Sequence, residues 1–148
     1  MANIVFNVAL GRVAYYASLP ATNDALIAVP IETSGIVGDA TMRDYDDLAT
    51  LLAGASNEQL SMGRKTLSGV TVTVDDTNDR VAIDAADITW TAATGNPISA
   101  LVICYDPDTT TGTDSDLIPL SKHDFAITPD GSDVTATIAD LIRATSAA

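Results

Sequence analysis

Apolar and polar positions alternate along most of this chain. Val70, Val72 and Val74 alternate with Thr71 and Thr73, and Val81 and Ile83 resume the pattern beyond Asp75-Asp-Thr-Asn-Asp79. A period of two puts one face on a core and the other in water, so this stretch predicts a hairpin with a loop of about five residues. Pro129-Asp-Gly-Ser132 is a turn leading into the same rhythm at Val134, Ala136 and Ile138. Short strands are expected at residues 87–91, 117–120 and 123–128, and a mobile loop at 106–116. Ile98 to Tyr105 is apolar apart from Ser99, which predicts a central strand buried on both faces. Ala25-Leu-Ile-Ala-Val-Pro-Ile31 is a further strand, and Pro30 places that end at an edge or an exit.

The N-terminal residues 3–17 also read as extended. Ile4, Phe6 and Val8 alternate with Val5, Asn7 and Ala9, and Gly11 offers a bend before Arg12-Val-Ala-Tyr-Tyr16. Residues 1–17 as a whole are either an ordinary edge strand or an arm that adds to a neighbouring subunit's sheet.

One helix is predicted. Thr41 or Asp44 can cap it, Leu48, Leu51 and Leu52 form its apolar stripe, and Gly54 ends it. A second helical turn is expected from Asn57 to Met62, followed by the adjacent cations Arg64 and Lys65. The expected fold is a single mainly β domain over residues 1–148: an antiparallel β-sandwich or flattened barrel with one short α-helix and an extended N-terminal arm.

Composition sharpens this picture. Apolar residues make up 47% of the 148 residues, too many for a disordered acidic chain, and aromatics only 5%. Small and β-branched side chains suit thin layers of sheet packed on sheet. Seven basic residues against twenty acidic ones leave a formal charge of −13. Such a surface repels phosphate backbones, so neither nucleic acid nor an anionic membrane is expected as a partner. The charge keeps a protein soluble at high concentration, and it also complements a basic protein surface. No apolar run approaches the roughly eighteen residues of a membrane span, and the first ten residues lack a leader's basic start. A lone Cys104 cannot form an intrachain disulfide, which agrees with assembly in a reducing cytoplasm.

The inventory for chemistry is thin. His123 is the one histidine, and alternation points its ring away from Asp124. Phosphate loops, nucleophile elbows and zinc patterns are missing from the sequence, so no catalytic residue, cofactor or metal is expected. Asp75, Asp76, Asn78 and Asp79 resemble a loose calcium loop, as do Asp106, Asp108, Asp114 and Asp116, but neither has the EF-hand ligand order. They read as solvated turn residues. Trp90, between Thr89 and Thr91, reads as a core residue rather than a sugar-stacking platform.

Several stretches carry a resemblance: Arg43-Asp-Tyr-Asp-Asp-Leu-Ala-Thr-Leu-Leu52, Met62-Gly-Arg-Lys-Thr66, Val70-Thr-Val-Thr-Val-Asp-Asp-Thr-Asn-Asp-Arg80, Ile88-Thr-Trp-Thr-Ala-Ala-Thr-Gly-Asn96, Leu101-Val-Ile-Cys-Tyr-Asp106 and His123-Asp-Phe-Ala-Ile-Thr-Pro-Asp-Gly-Ser132. With the start Ile4-Val-Phe-Asn-Val-Ala9, they resemble small structural proteins of tailed phages that infect actinobacteria. The resemblance covers most of the chain as a combination. It implies a non-enzymatic virion protein similar to head decoration proteins, which bind the outside of the capsid lattice and stabilise it. The implied partners are the major capsid protein and further copies of this chain, with a trimer among the expected forms. A tail-tube or tail-tip protein and a virion carbohydrate-binding module are the alternatives. The candidate contact residues are Ile4, Phe6, Val8, Arg12, Tyr15, Tyr16, Arg43, Arg64 and Lys65. Arg64 and Lys65 are expected to meet a partner's carboxylates, and loss of the first ten residues is expected to leave a folded domain.

Overall fold

The computed structural model describes residues 2–54 and 56–146; residue 1 of the expected arm lies outside them. Ten strands are described: β1 (Ile4–Val5), β2 (Ala25–Glu32), β3 (Lys65–Thr66), β4 (Thr71–Asp75), β5 (Arg80–Asp84), β6 (Ile88–Trp90), β7 (Ile98–Asp106), β8 (Ile118–Ile127), β9 (Val134–Ala136) and β10 (Ile142–Thr145). They form a five-stranded sheet in the order β1-β8-β7-β2-β3, a three-stranded sheet β10-β5-β4 and a pair β6-β9. Every pairing is antiparallel. The protein is thus mainly β, with a sandwich-like arrangement of antiparallel sheets.

The continuous apolar runs of β2 and β7 follow from a large sheet covered on both faces. On one face Leu26, Ala28, Leu101, Ile103 and Tyr105 pack with Ile83, Ile88, Trp90, Val134 and Ala136 from the small sheets. On the other, Ile27, Val29, Ile31, Ala100, Val102 and Cys104 pack with Phe6, Met42, Leu48 and Leu51. Pro30 lies inside β2 opposite Leu101, not at the end of the strand. Its carbonyl accepts from Gln59 N at 2.9 Å on the flank away from β7, where β3 no longer runs. Its missing N–H therefore removes no ladder bond.

The helical content differs from expectation. The single helix is two, α2 (Asp39–Met42) and α3 (Leu48–Ala53), preceded by α1 (Val13–Ser18). Asp47, rather than Thr41 or Asp44, caps α3 by accepting from Thr50 N at 2.7 Å, and Gly54 ends it as anticipated. Residues 57–62 form a bridge and turns rather than a helical turn, with Glu58 bridging Ile31.

The N-terminal segment is the main correction. Only Ile4–Val5 is a strand; Asn7–Ala9 is a 3₁₀ turn and Val13–Ser18 an α-helix. The segment is not a free extended arm. Its buried positions are Phe6, Ala9, Val13 and Ala17, spaced three, four and four, which is a helical repeat. The period of two was visible over residues 4–8 only because a short strand opens the segment.

Candidate interaction surface

The contact residues expected from sequence fall into three environments. Phe6 is wholly buried, and Ile4 and Val8 are half-buried against the same core. They fasten the segment to the body: Phe6 N donates to Leu120 O at 3.1 Å and Asn7 N to Arg43 O at 2.8 Å. Asn7 Nδ2 adds a 2.6 Å bond to Asp44 Oδ1. Arg43 is thereby brought against the N-terminal segment through its backbone, while its Nε donates to Asp39 O at 3.2 Å and its side chain stays exposed.

Arg64 is engaged within the chain. Its Nε and Nη2 grip both oxygens of Glu58 at 2.8 and 2.7 Å, and Nη1 reaches Asp114 Oδ1 at 2.6 Å. A bidentate pair with a second carboxylate is among the stronger ion-pair geometries. Glu58 drives the guanidinium pKa upward, with Asp114 adding to it against the opposing cost of burial. This cation therefore meets carboxylates of its own fold, tying the 106–116 loop to the start of β3. Lys65 is half-buried in β3 opposite Ala28.

Arg12 and Tyr15 remain at the surface, at the start of α1. Leu10 and Tyr15 are each 60% exposed, among the few large apolar side chains that face water. Tyr15 rests edge-on against Tyr16, whose ring lies 5.5 Å from that of Tyr105, so the exposed ring stands on an aromatic stack. Tyr105 in turn donates to Asp24 Oδ2 at 2.8 Å, and burial together with that carboxylate pushes its hydroxyl up to about 12. The helix itself is held on the core by Val13 and Ala17. Leu10, Arg12 and Tyr15, an apolar, a cationic and an aromatic side chain, are thus all exposed within six residues of chain at the start of α1. Arg64 and Lys65 belong to the edge of the large sheet, so the structure does not gather all nine residues into one surface.

In the acidic turns, the carboxylates of Asp75, Asp108 and Asp116 are occupied by donors close by in the chain. Asp75 accepts from Thr77 N, Asn78 N, Asn78 Nδ2 and Arg80 Nε. Asp108 accepts from the backbone and hydroxyls of Thr110 and Thr111, which holds its pKa well below the usual carboxylate range. Asp116 serves Thr113 in the same way. These are the Asx-type contacts of ordinary turns.

Trp90 is 2% exposed and donates its indole N–H to Gly63 O at 2.9 Å. It is a core residue, and no sugar can stack on it in this fold. The Ser121 hydroxyl meets His123 Nε2 at 2.9 Å, within reach for a nucleophile and base. Ser121 is only 1% exposed, however, so its hydroxyl is largely shielded from solvent. Burial and the neighbouring Lys122 lower the His123 pKa.

Two polar groups escaped the sequence reading. Lys122 is fully buried in mid-β8, with Nζ donating to Asp39 Oδ1 at 2.8 Å and Asp124 Oδ1 at 2.7 Å. Gln59 is 1% exposed; its Nε2 donates to Thr94 O and Asn96 O, and its Oε1 accepts from Ser61 N and Met62 N. Only the continuity of β8 over Ile118–Ile127 places Lys122 inside the sheet, and nothing in the sequence marks Gln59. The protein is an antiparallel, mainly β protein whose buried polar side chains serve its own fold, with an apolar–basic patch at α1. No family model matches the chain, and neither a curated protein nor a solved structure matches it.

Proposed function

We propose that this chain is a non-enzymatic structural protein of a phage virion, and specifically a head decoration protein that binds the outside of the capsid lattice and stabilises it. The resemblance of its sequence supplies the virion; the patch Leu10, Arg12 and Tyr15 supports a role in binding protein. On a chain of formal charge −13, Tyr15 of α1 and Leu10 and Arg12 of the turn leading into it stand exposed, beside a helix anchored by Val13 and Ala17. Tyr and Arg are the residue types that anchor protein interfaces, and a rigid base spares the ordering cost of a loop. The surrounding acidic surface keeps a many-copy subunit soluble and favours a neutral or basic partner face on the major capsid protein. The carbohydrate-binding alternative loses its platform with the burial of Trp90.

An electron-microscopy map of the virion tests this reading. Density for this fold on the capsid exterior, with α1 turned toward the shell, is the expected result. Density only in the tail tube or tail tip, or in no part of the particle, overturns it.

A further inference from the structure

β4 is the longest of the described strands that stand at the end of a sheet. β1 and β3 at the edges of the large sheet have two residues each, β6 and β9 have three, and β10 has four including Arg143. β4 has five, Thr71-Val-Thr-Val-Asp75, with no Pro, Gly or Lys to blunt it. Unprotected edges of this kind are templates for another strand.

The direction of its free groups follows from the ladder. Leu141 N donates to Ile83 O at 2.8 Å, so the backbone groups of Ile83 face β10. By alternation those of Arg80, Ala82 and Asp84 face β4, where they meet Asp75, Thr73 and Thr71. The N–H and C=O of Val72 and Val74 therefore point outward. Val72 packs on the core and Val74, on the same face, is 68% exposed, leaving an apolar shelf beside the open edge.

We propose that β4 pairs antiparallel with β4 of a second copy, across a two-fold axis through Thr73. The edge is complementary to itself in this register. Val72 of each copy meets Val74 of the other as a hydrogen-bonded pair, giving two such pairs, and the two Val74 shelves are covered. Thr73 faces Thr73 on the axis as a non-hydrogen-bonded pair. Asp75 falls opposite Thr71 of the second copy rather than opposite another Asp75, so like charges do not meet in the ladder. The two three-stranded sheets become one continuous sheet, an isologous contact that closes at two subunits. This inference stands independently of the capsid reading.

The test uses the full chain without capsids. Sedimentation velocity across a range of concentrations is expected to show a monomer–dimer equilibrium that strengthens as added salt screens the two −13 charges. Val74→Pro removes an outward N–H from each copy and is expected to weaken the dimer at least about tenfold; Val74→Lys gives the same result if the proline variant does not fold. Register is read by Thr73→Cys. Cα atoms of a non-hydrogen-bonded antiparallel pair lie about 4.5 Å apart, within the about 4.4–6.8 Å that a disulfide spans. Mild oxidation is expected to link Thr73→Cys chains into dimers and to leave Thr71→Cys chains unlinked, with the buried Cys104 as bystander. A wild-type chain monomeric at every concentration, a dimer indifferent to both Val74 variants, or equal linking at positions 71 and 73 overturns the proposal. Pairing of this edge only with a strand of a different protein would leave the purified chain monomeric, and so overturns it too.

Discussion

Lys122, in the middle of β8 and closed off from solvent, donates to Asp39 Oδ1 at 2.8 Å, and Asp39 Oδ2 accepts from Ala2 N at 2.7 Å. One carboxylate at the start of α2 thus joins the start of the described chain to the inside of the large sheet. Burying an ammonium is costly unless it is paired, so this contact fixes the position of three separate segments at once.

Removing that carboxylate leaves a buried cation with Asp124 as its remaining carboxylate among the described ion pairs. Asp39→Ala is expected to destabilise the fold by about 2–3 kcal/mol, below the about 3–5 kcal/mol of a fully broken buried pair. Urea unfolding at neutral pH measures it, and a change under about 0.5 kcal/mol, typical of surface substitutions, contradicts the assigned role.

The same contact carries a pH signature. The Lys122 ammonium, and then the Ala2 N–H, hold the Asp39 carboxyl below its ordinary value of 3.8. The folded state therefore keeps this group ionised to lower pH than the unfolded chain does. Its contribution is complete above 3.8 and is lost as pH falls below that value toward the folded one. The stability difference between wild type and Asp39→Asn should be level from pH 7 to about 5 and shrink below about pH 4. A difference that grows on acidification refutes the assignment.

Phe6 anchors the N-terminal segment in the core beside Met42, Leu48 and Leu51. Phe6→Ala is expected to cost about 3–5 kcal/mol, and deletion of residues 2–10 to cost at least as much. The truncation is therefore not a clean probe of binding. Leu10→Ser with Tyr15→Ala, both at exposed positions, should leave the melting temperature nearly unchanged while weakening capsid binding by an order of magnitude or more. Undiminished binding by that double variant removes the patch from the account.

Gly95, at φ +113°, lies against the buried Gln59 amide, which a Cβ would strike. Gly95→Ala combines backbone strain with displacement of a side chain that makes four hydrogen bonds. A loss of about 2–4 kcal/mol is expected, against less than about 1 kcal/mol for Gly38→Ala, where nothing lies within 4 Å and φ is −66°.

Cys104 is wholly buried, and desolvation pushes its thiol well above the usual range. Thiol reagents should leave the native protein unmodified and react fully in denaturant. Rapid native labelling would mean that the sheet opens far more readily than its packing implies.

Much of the large sheet was legible because its chemistry is local. β2 and β7 announce themselves as apolar runs, and the β4–β5 hairpin as alternation around a polar turn. The rest depended on long-range contacts. β8 was divided at Ser121-Lys122 because a polar pair reads as a break, whereas Asp39, eighty-three residues away in sequence, makes the lysine an interior residue. β10, at Ile142–Thr145, is short and mostly exposed, and its only strong cue is its pairing with β5. Val13, Tyr15 and Tyr16 favour extended backbone and so point to a strand, but burial of Val13 and Ala17 on one helical face overrides that preference in α1. The patch at Arg12 and Tyr15 was legible as residue types, but Arg64 was not: its carboxylate partners Glu58 and Asp114 come together only in the fold.

The central claim is that this chain binds the outside of a capsid. Co-sedimentation of the purified protein with capsids assembled from the major capsid protein of the phage proposed as its source tests it most directly. Saturable binding, at a fixed ratio to the capsid subunits and weakened by the Leu10 and Tyr15 substitutions, is the predicted result. Protein that stays in the supernatant at every ratio of chain to capsid would contradict the account.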